Sequence, residues 1–139
     1  MNDSHLFKLA KECSFQADYS GCCNAKIGCI ITYHGSVIAK GCNSDKTHTK
    51  QAYFNRMRYK DSGNHYLPAK LHAEMVCLQK VQYLDIDFSK VHIYTYRELK
   101  NGKMAMSRPC RACMEAIKQM HIKHIHYSTE DGFAREDLI

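Results

Sequence analysis

Residues 71–78, LHAEMVCL, look like the start of an amphipathic helix. Leu71, Met75 and Leu78 recur at helical spacing, and Ala73, Val76 and Cys77 add apolar surface. Pro68 opens this helix. Two β-rich stretches precede it and a third follows, and that order decides the fold class. His72 and Glu74 interrupt the apolar pattern, one small residue apart. An ordinary polar face on a packed helix accounts for such a pair taken alone, so the rest of the chain has to justify more.

Upstream, residues 4–15 read as a helix capped by Asp3 or Ser4, with Leu6, Leu9, Ala10 and Cys13 on one face. KIGCIITY (26–33) and SVIAKG (36–41) are strands joined by a His34-Gly35 turn, a β-hairpin. Residues 44–67 are polar, basic and aromatic without clear periodicity. They read as a long connection, and long connections are functional or mobile. Downstream, KVHIYTYR (90–97) is a third strand. ELKNGKMAMS is a loop with a turn at Asn101-Gly102. Pro109 starts a helix whose Ala112, Cys113, Ala116, Ile117 and Met120 form an apolar stripe. IKHIHYST (122–129) is a fourth strand, and the tail EDGFAREDLI holds a short terminal helix. The order α, β, β, α, β, α, β predicts crossover units, some parallel pairing, and an α/β domain with helices covering the sheet.

The 139 residues suggest one domain, 1–139. The formal charge of +6 favours an anionic partner, a nucleotide phosphate or a nucleic-acid backbone, and solubility alone accounts for it equally well. No apolar run is long enough to span a membrane, and the charged N-terminus lacks a signal-peptide core. A cytoplasmic location is expected. There the eight cysteines stay reduced, and a closely spaced pair points to metal or redox chemistry. Cys13, Cys22, Cys23, Cys29, Cys42 and Cys77 lie in or beside apolar stretches and read as small hydrophobes.

Cys110 and Cys113 are different. They sit three apart at a helix start just after Pro109, so both sulfurs can reach one spot. The positive end of the helix favours thiolate, and two thiolates suit zinc. His72 can be the third ligand, leaving the fourth tetrahedral position open, which is the catalytic arrangement. Zinc lowers the pKa of bound water toward neutrality, and Glu74 can move its protons. On a regular helix Glu74 lies about 200° round from His72, so the two converge only at a frayed first turn. His72-Ala73-Glu74 followed by Pro109-Cys110-Arg111-Ala112-Cys113 matches the H-x-E…P-C-x-x-C signature of zinc nucleobase deaminases.

Most of the chain resembles the cytidine and deoxycytidylate deaminase superfamily. The hairpin IGCIITYHGSVIAKGCN, the segment NSDKTH, MSRPCRAC and IKHIHYSTEDG are all similar to family text. The resemblance implies a cytidine-deaminase-like three-layer α/β/α fold with a mixed central sheet of four to five strands. It implies zinc between two helix N-termini, Glu74 as the catalytic acid/base, and His72, Cys110 and Cys113 as ligands. Asn43, at the end of the hairpin's Gly41-Cys42-Asn43, is implied to hydrogen-bond the substrate sugar, with Ala73, Ser107 and Pro109 completing the substrate-binding set. Self-association is implied too. Two departures stand out: little chain remains after Thr129 for a fifth strand, and Arg108 replaces the glutamate common in transfer-RNA adenosine deaminases.

The implied reaction converts cytosine to uracil with release of ammonia, on a free nucleoside or nucleotide. Segment 44–67 carries Lys46, Lys50, Arg56, Arg58 and Lys60 among Tyr53, Phe54, Tyr59 and Tyr66. It reads as a lid over a nucleotide, a groove for single-stranded nucleic acid, or a solvated loop. Alternatives remain: a deaminase of cytosine or adenine in single-stranded DNA or RNA, or a non-catalytic domain with a closed structural zinc site. Packed or solvated histidines account for His121, His124 and His126. Cys42, His48 and His65 form a weak candidate for an additional zinc.

Overall fold

A computed structural model describes residues 3–16, 25–44, 48–62 (25 and 57–62 by backbone only) and 71–138. In chain order they form α1 (Asp3–Ser14), β1 (Ala25–Tyr33), β2 (Ser36–Cys42), α2 (Thr49–Ser62), α3 (Ala73–Val81), β3 (Val91–Leu99), β4 (Met104–Ala105), α4 (Arg111–Gln119), β5 (His124–Ser128) and β6 (Phe133–Asp137). Pro68, Cys22, Cys23 and the side chains of Lys46, Arg58, Tyr59, Lys60 and Tyr66 lie outside the described residues.

The strands make one mixed sheet, ordered β2-β1-β3-β5-β6, with β4 paired to the end of β3. The β1–β2 turn places His34 and Gly35 at φ 51° and 80°. Two successive left-handed residues match the twist of a hairpin, and glycine takes the second without strain. β2 and β3 both run antiparallel to β1, so the chain crosses over through α3 between two like-directed strands. A second crossover, through α4, sets β5 parallel to β3.

Helices cover both faces. On one, Leu6, Phe7 and Ala10 of α1 pack on Ile30, Tyr94 and Tyr96. A Cβ at Gly28 would stand 1.9 Å from the Ala10 carbonyl oxygen, so α1 lies this close only because residue 28 has no side chain. On the other face, Met75, Leu78 and Val81 of α3 and Ala112, Ala116 and Ile117 of α4 cover Cys29, Ile31, Ile93 and Ile125. Alternate residues of β1 and β3 thus feed opposite cores, as a strand buried on both sides requires.

Three expectations are corrected. The 44–67 connection contains the 14-residue α2. Its buried face is largely polar, with Gln51 and Asn55 fully buried beside Phe54, so a search for apolar periodicity passes over it. The tail forms β6, antiparallel to β5, in place of a terminal helix. Thr129 N donates to Gly132 O at 2.7 Å and turns the chain back, so a fifth long strand exists after all. Asn101-Gly102 is the expected turn, and it closes a β3–β4 hairpin. Among the described residues no helix is long and apolar enough to cross a membrane.

Candidate metal centre and active site

α3 and α4 begin alike. His72 is the N-cap of α3, extended at φ −79° and ψ 155°. Cys110 is the N-cap of α4, extended at φ −66° and ψ 168°. Each N-cap carbonyl accepts the first helical bond, from Val76 N at 3.0 Å and Met114 N at 2.8 Å. An N-cap side chain lies off the helical screw, so the 200° separation of His72 from Glu74 does not apply. Glu74 stands inside the first turn while His72 stands before it. Pro109 is buried one residue ahead of the N-cap, not within the helix, because Cys110 is extended.

Both helix starts aim at one point. The Nδ1 of His72 lies 3.5 Å from Cys110 Sγ and 3.4 Å from Cys113 Sγ. The three ligand atoms all lie within 4.8 Å of one another, and no fourth His, Cys, Asp or Glu joins them among the described residues. Zinc bonded tetrahedrally to sulfur at about 2.3 Å and nitrogen at about 2.0–2.1 Å puts the two atoms about 3.5 Å apart. The trio fits three of zinc's four tetrahedral positions.

Charge follows this geometry. The Cys113 thiol and His72 stabilise the Cys110 thiolate, so Cys110 ionises well below the usual thiol range. Cys113 holds its proton longer because it donates to Cys110 and is buried beside Glu74. Burial raises the carboxyl of Glu74, His72 opposes this, and the Cys110 charge adds to it. Glu74 is only 4% exposed. A carboxyl seldom sits so deep without a partner or a task.

The other sequence-chosen residues are placed as follows. Asn43 is buried. Its Oδ1 accepts from Ile27 N at 3.0 Å, and its own N donates to Ile27 O. Ser44 N donates to Leu71 O at 2.9 Å, which brings the end of the hairpin alongside His72. Ala73 is fully buried at the first position of α3. Ser107 is tied into a cluster of buried hydroxyls: its Oγ lies 3.0 Å from Thr95 Oγ1 and 2.9 Å from Ser128 Oγ, and its N donates to Ser128 O. That cluster fixes the segment leading into Pro109 and Cys110. Arg108 reaches outward to Glu136 of β6 at 2.6 Å. In the second trio, His48 Nδ1 accepts from Lys50 N, and His65 lies outside the described residues.

Sequence reasoning missed Gln51, Thr95 and Ser128. Gln51 Oε1 accepts the His72 N–H at 3.2 Å, and Gln51 Nε2 donates to Asn55 Oδ1 at 2.9 Å. The i, i+4 spacing of Gln51 and Asn55 was the one available signal.

A mixed sheet with a His–Cys–Cys trio between two helix N-termini and a buried carboxyl beside it defines a zinc-site hydrolase of the deaminase type. The family described as "cytidine and deoxycytidylate deaminase zinc-binding region" matches residues 1–129, and the chain belongs to it. It is therefore a zinc-binding hydrolytic deaminase of the cytidine type. Among solved structures, the chain is similar to the apo dCMP deaminase from cyanophage S-TIM5 (23% identity, TM-score 0.61, 93% of this chain and 86% of that one). The same phage enzyme in complex with dCMP and dUMP aligns at 18% identity and TM-score 0.58, over 93% and 84% of the two chains. Cytidine deaminase from Burkholderia pseudomallei aligns at 17% identity and TM-score 0.65, over 99% and 93%. At these identities the likeness is one of fold. No curated protein matches the chain.

Proposed function

We propose that the protein hydrolyses the amino group of a cytosine base carried on a free nucleoside or nucleotide, giving uracil and ammonia. The observation that carries the reading is the His72–Cys110–Cys113 trio with buried Glu74 beside it in the first turn of α3. His72, Cys110 and Cys113 hold the zinc. Zinc bound there would supply Lewis acidity and lower the pKa of water.

The remaining steps belong to the chain. Glu74 accepts a proton from the attacking water and delivers it to the ring nitrogen, making the amine-bearing carbon electrophilic. It then takes the hydroxyl proton and hands it to the leaving amine, so that ammonia departs and the C–N bond is replaced by C=O. A buried carboxyl raised above its ordinary range can carry protons in both directions. Ala73, beside Glu74, offers its backbone to the base, as does the carbonyl oxygen of Ser107, whose N–H is taken by Ser128 O, and Pro109 offers its ring. Asn43 sets the sugar.

The nucleotide form is supported by the net charge of +6 and by the phage dCMP deaminase, which was crystallised with dCMP and dUMP. The test is ammonia release by the zinc-loaded protein from cytosine, cytidine, deoxycytidine, CMP, dCMP and a cytosine-containing single strand. Adenine and guanine substrates run in parallel. Turnover of a free cytosine nucleoside or nucleotide is expected. Faster turnover of the single strand, or of no cytosine compound at all, overturns the proposal.

A further inference from the structure

We propose that Gln51 is a positioning residue for the metal ligand His72, acting through its peptide N–H. The inference rests on the metal-site reading above.

Gln51 lies on α2, the helix hidden in the sequence by its polar inner face. Its side chain is fully buried, as is that of Asn55 one turn on. Burying two uncharged amides costs free energy unless their hydrogen bonds are met, and a leucine or methionine at residue 51 would pack without that cost. What the glutamine adds is direction. Asn55 Oδ1 takes one of its N–H groups, which orients the amide plane, and its Oε1 then accepts from His72 N at 3.2 Å.

The His72 N–H belongs to an N-cap. In that position the residue is extended and has left the helical ladder, so the helix supplies no acceptor for it. Without Gln51 the Leu71–His72 peptide would lose its tie to α2. The ring, whose Nδ1 must stay near 3.4–3.5 Å from both sulfurs, would gain rotational freedom about the N-cap. The cysteines are fixed independently, because the Thr95–Ser107–Ser128 hydroxyls anchor the segment ahead of α4. The trio is therefore held from two sides: hydroxyls between β3 and β5 for the sulfurs, and for the imidazole the Leu71–His72 peptide, whose N–H goes to Gln51 of α2 and whose carbonyl accepts from Ser44 N.

The test compares zinc release to a chromogenic chelator from wild type, Gln51→Met, Gln51→Glu and Phe54→Leu. Methionine keeps volume and helix propensity but has no acceptor. Glutamate restores the acceptor. Phe54 is buried on the same helix and makes no bond to His72, so its variant loosens α2 without touching the tie. Gln51→Met is expected to release zinc roughly ten- to a hundredfold faster, the usual effect of removing an outer-shell partner. Gln51→Glu should return within about fivefold of wild type and Phe54→Leu within about threefold, on the same scale. The visible spectrum of the Co(II)-substituted protein should change in Gln51→Met alone. Release from Gln51→Met at the wild-type rate, or equal acceleration by Phe54→Leu, overturns the proposal and leaves the metal site standing. A wild-type protein that binds no zinc, or a His72→Ala variant that binds it as tightly, removes the site itself and the proposal with it.

Discussion

Acid should destabilise this protein through His126. The ring lies on the α1 side of β5, stacked on Tyr94 with centroids 4.1 Å apart, and its side chain is 2% exposed. Its Nε2 lies 2.9 Å from His92 Nδ1, one nitrogen donating to the other. Burial pushes its pKa down to about 4, Asp3 (3.8 Å away) pulls the other way, and His92, Arg135 and His124 add to the fall. The folded state therefore keeps His126 neutral at a pH where the unfolded chain, near 6.5, takes up a proton. The contribution to stability is complete above about pH 6.5 and disappears as the pH drops through about 4. At roughly 1.4 kcal/mol per pH unit, the coupling is bounded at about 3 kcal/mol, and about 2 kcal/mol of it is lost between pH 7 and pH 5.

The measurement is urea unfolding of the zinc-loaded protein at half-unit steps from pH 7 to pH 5, beside His126→Phe. Phenylalanine keeps the ring on Tyr94 and cannot take a proton. Its absolute stability will be lower, because His92 loses a partner, so slopes are what count. Wild type should lose stability about 1 kcal/mol per pH unit more steeply than the variant in the lower half of this range. Parallel curves would refute the assignment of His126 as a buried neutral imidazole.

Four other outcomes follow from the same coordinates. Glu74→Gln should lower turnover by at least about a hundredfold, the low end of what positioned proton transfer contributes, while one zinc per chain remains bound; metal analysis with a steady-state assay checks both. Stripping zinc with a chelator should abolish ammonia release and lower the melting temperature, and Cys113→Ser should bind zinc too weakly to survive gel filtration, since the trio has no spare described ligand. Gly28→Ala drives a Cβ to 1.9 Å from the Ala10 carbonyl, so α1 must lift from β1; a loss of about 1–3 kcal/mol in denaturant unfolding is expected, with zinc content unchanged because the site lies on the other face of the sheet.

What the sequence disclosed and what it concealed have separate physical causes. His72, Glu74, Cys110 and Cys113 were legible because zinc chemistry restricts residue type and spacing, and helix starts announce themselves through local rules. Even there, the 200° objection dissolved only once His72 proved to be an N-cap, a distinction of one residue that composition cannot make. α2 was concealed because an inward face built from Gln51, Phe54 and Asn55 shows too little apolar recurrence. β6 was concealed because Phe133-Ala134-Arg135-Glu136-Asp137 is an edge strand paired on one side only, and charges on such a strand deter further pairing. The histidines read in sequence only as packed or solvated side chains; His92 joins His124 and His126 through the parallel register His92↔His124. Local sequence specified the reacting atoms. The parts that aim and protect them, Gln51 behind His72 and the hydroxyls behind Cys110, depend on contacts between residues 12 to 31 positions apart, and those appear only when the chain has folded.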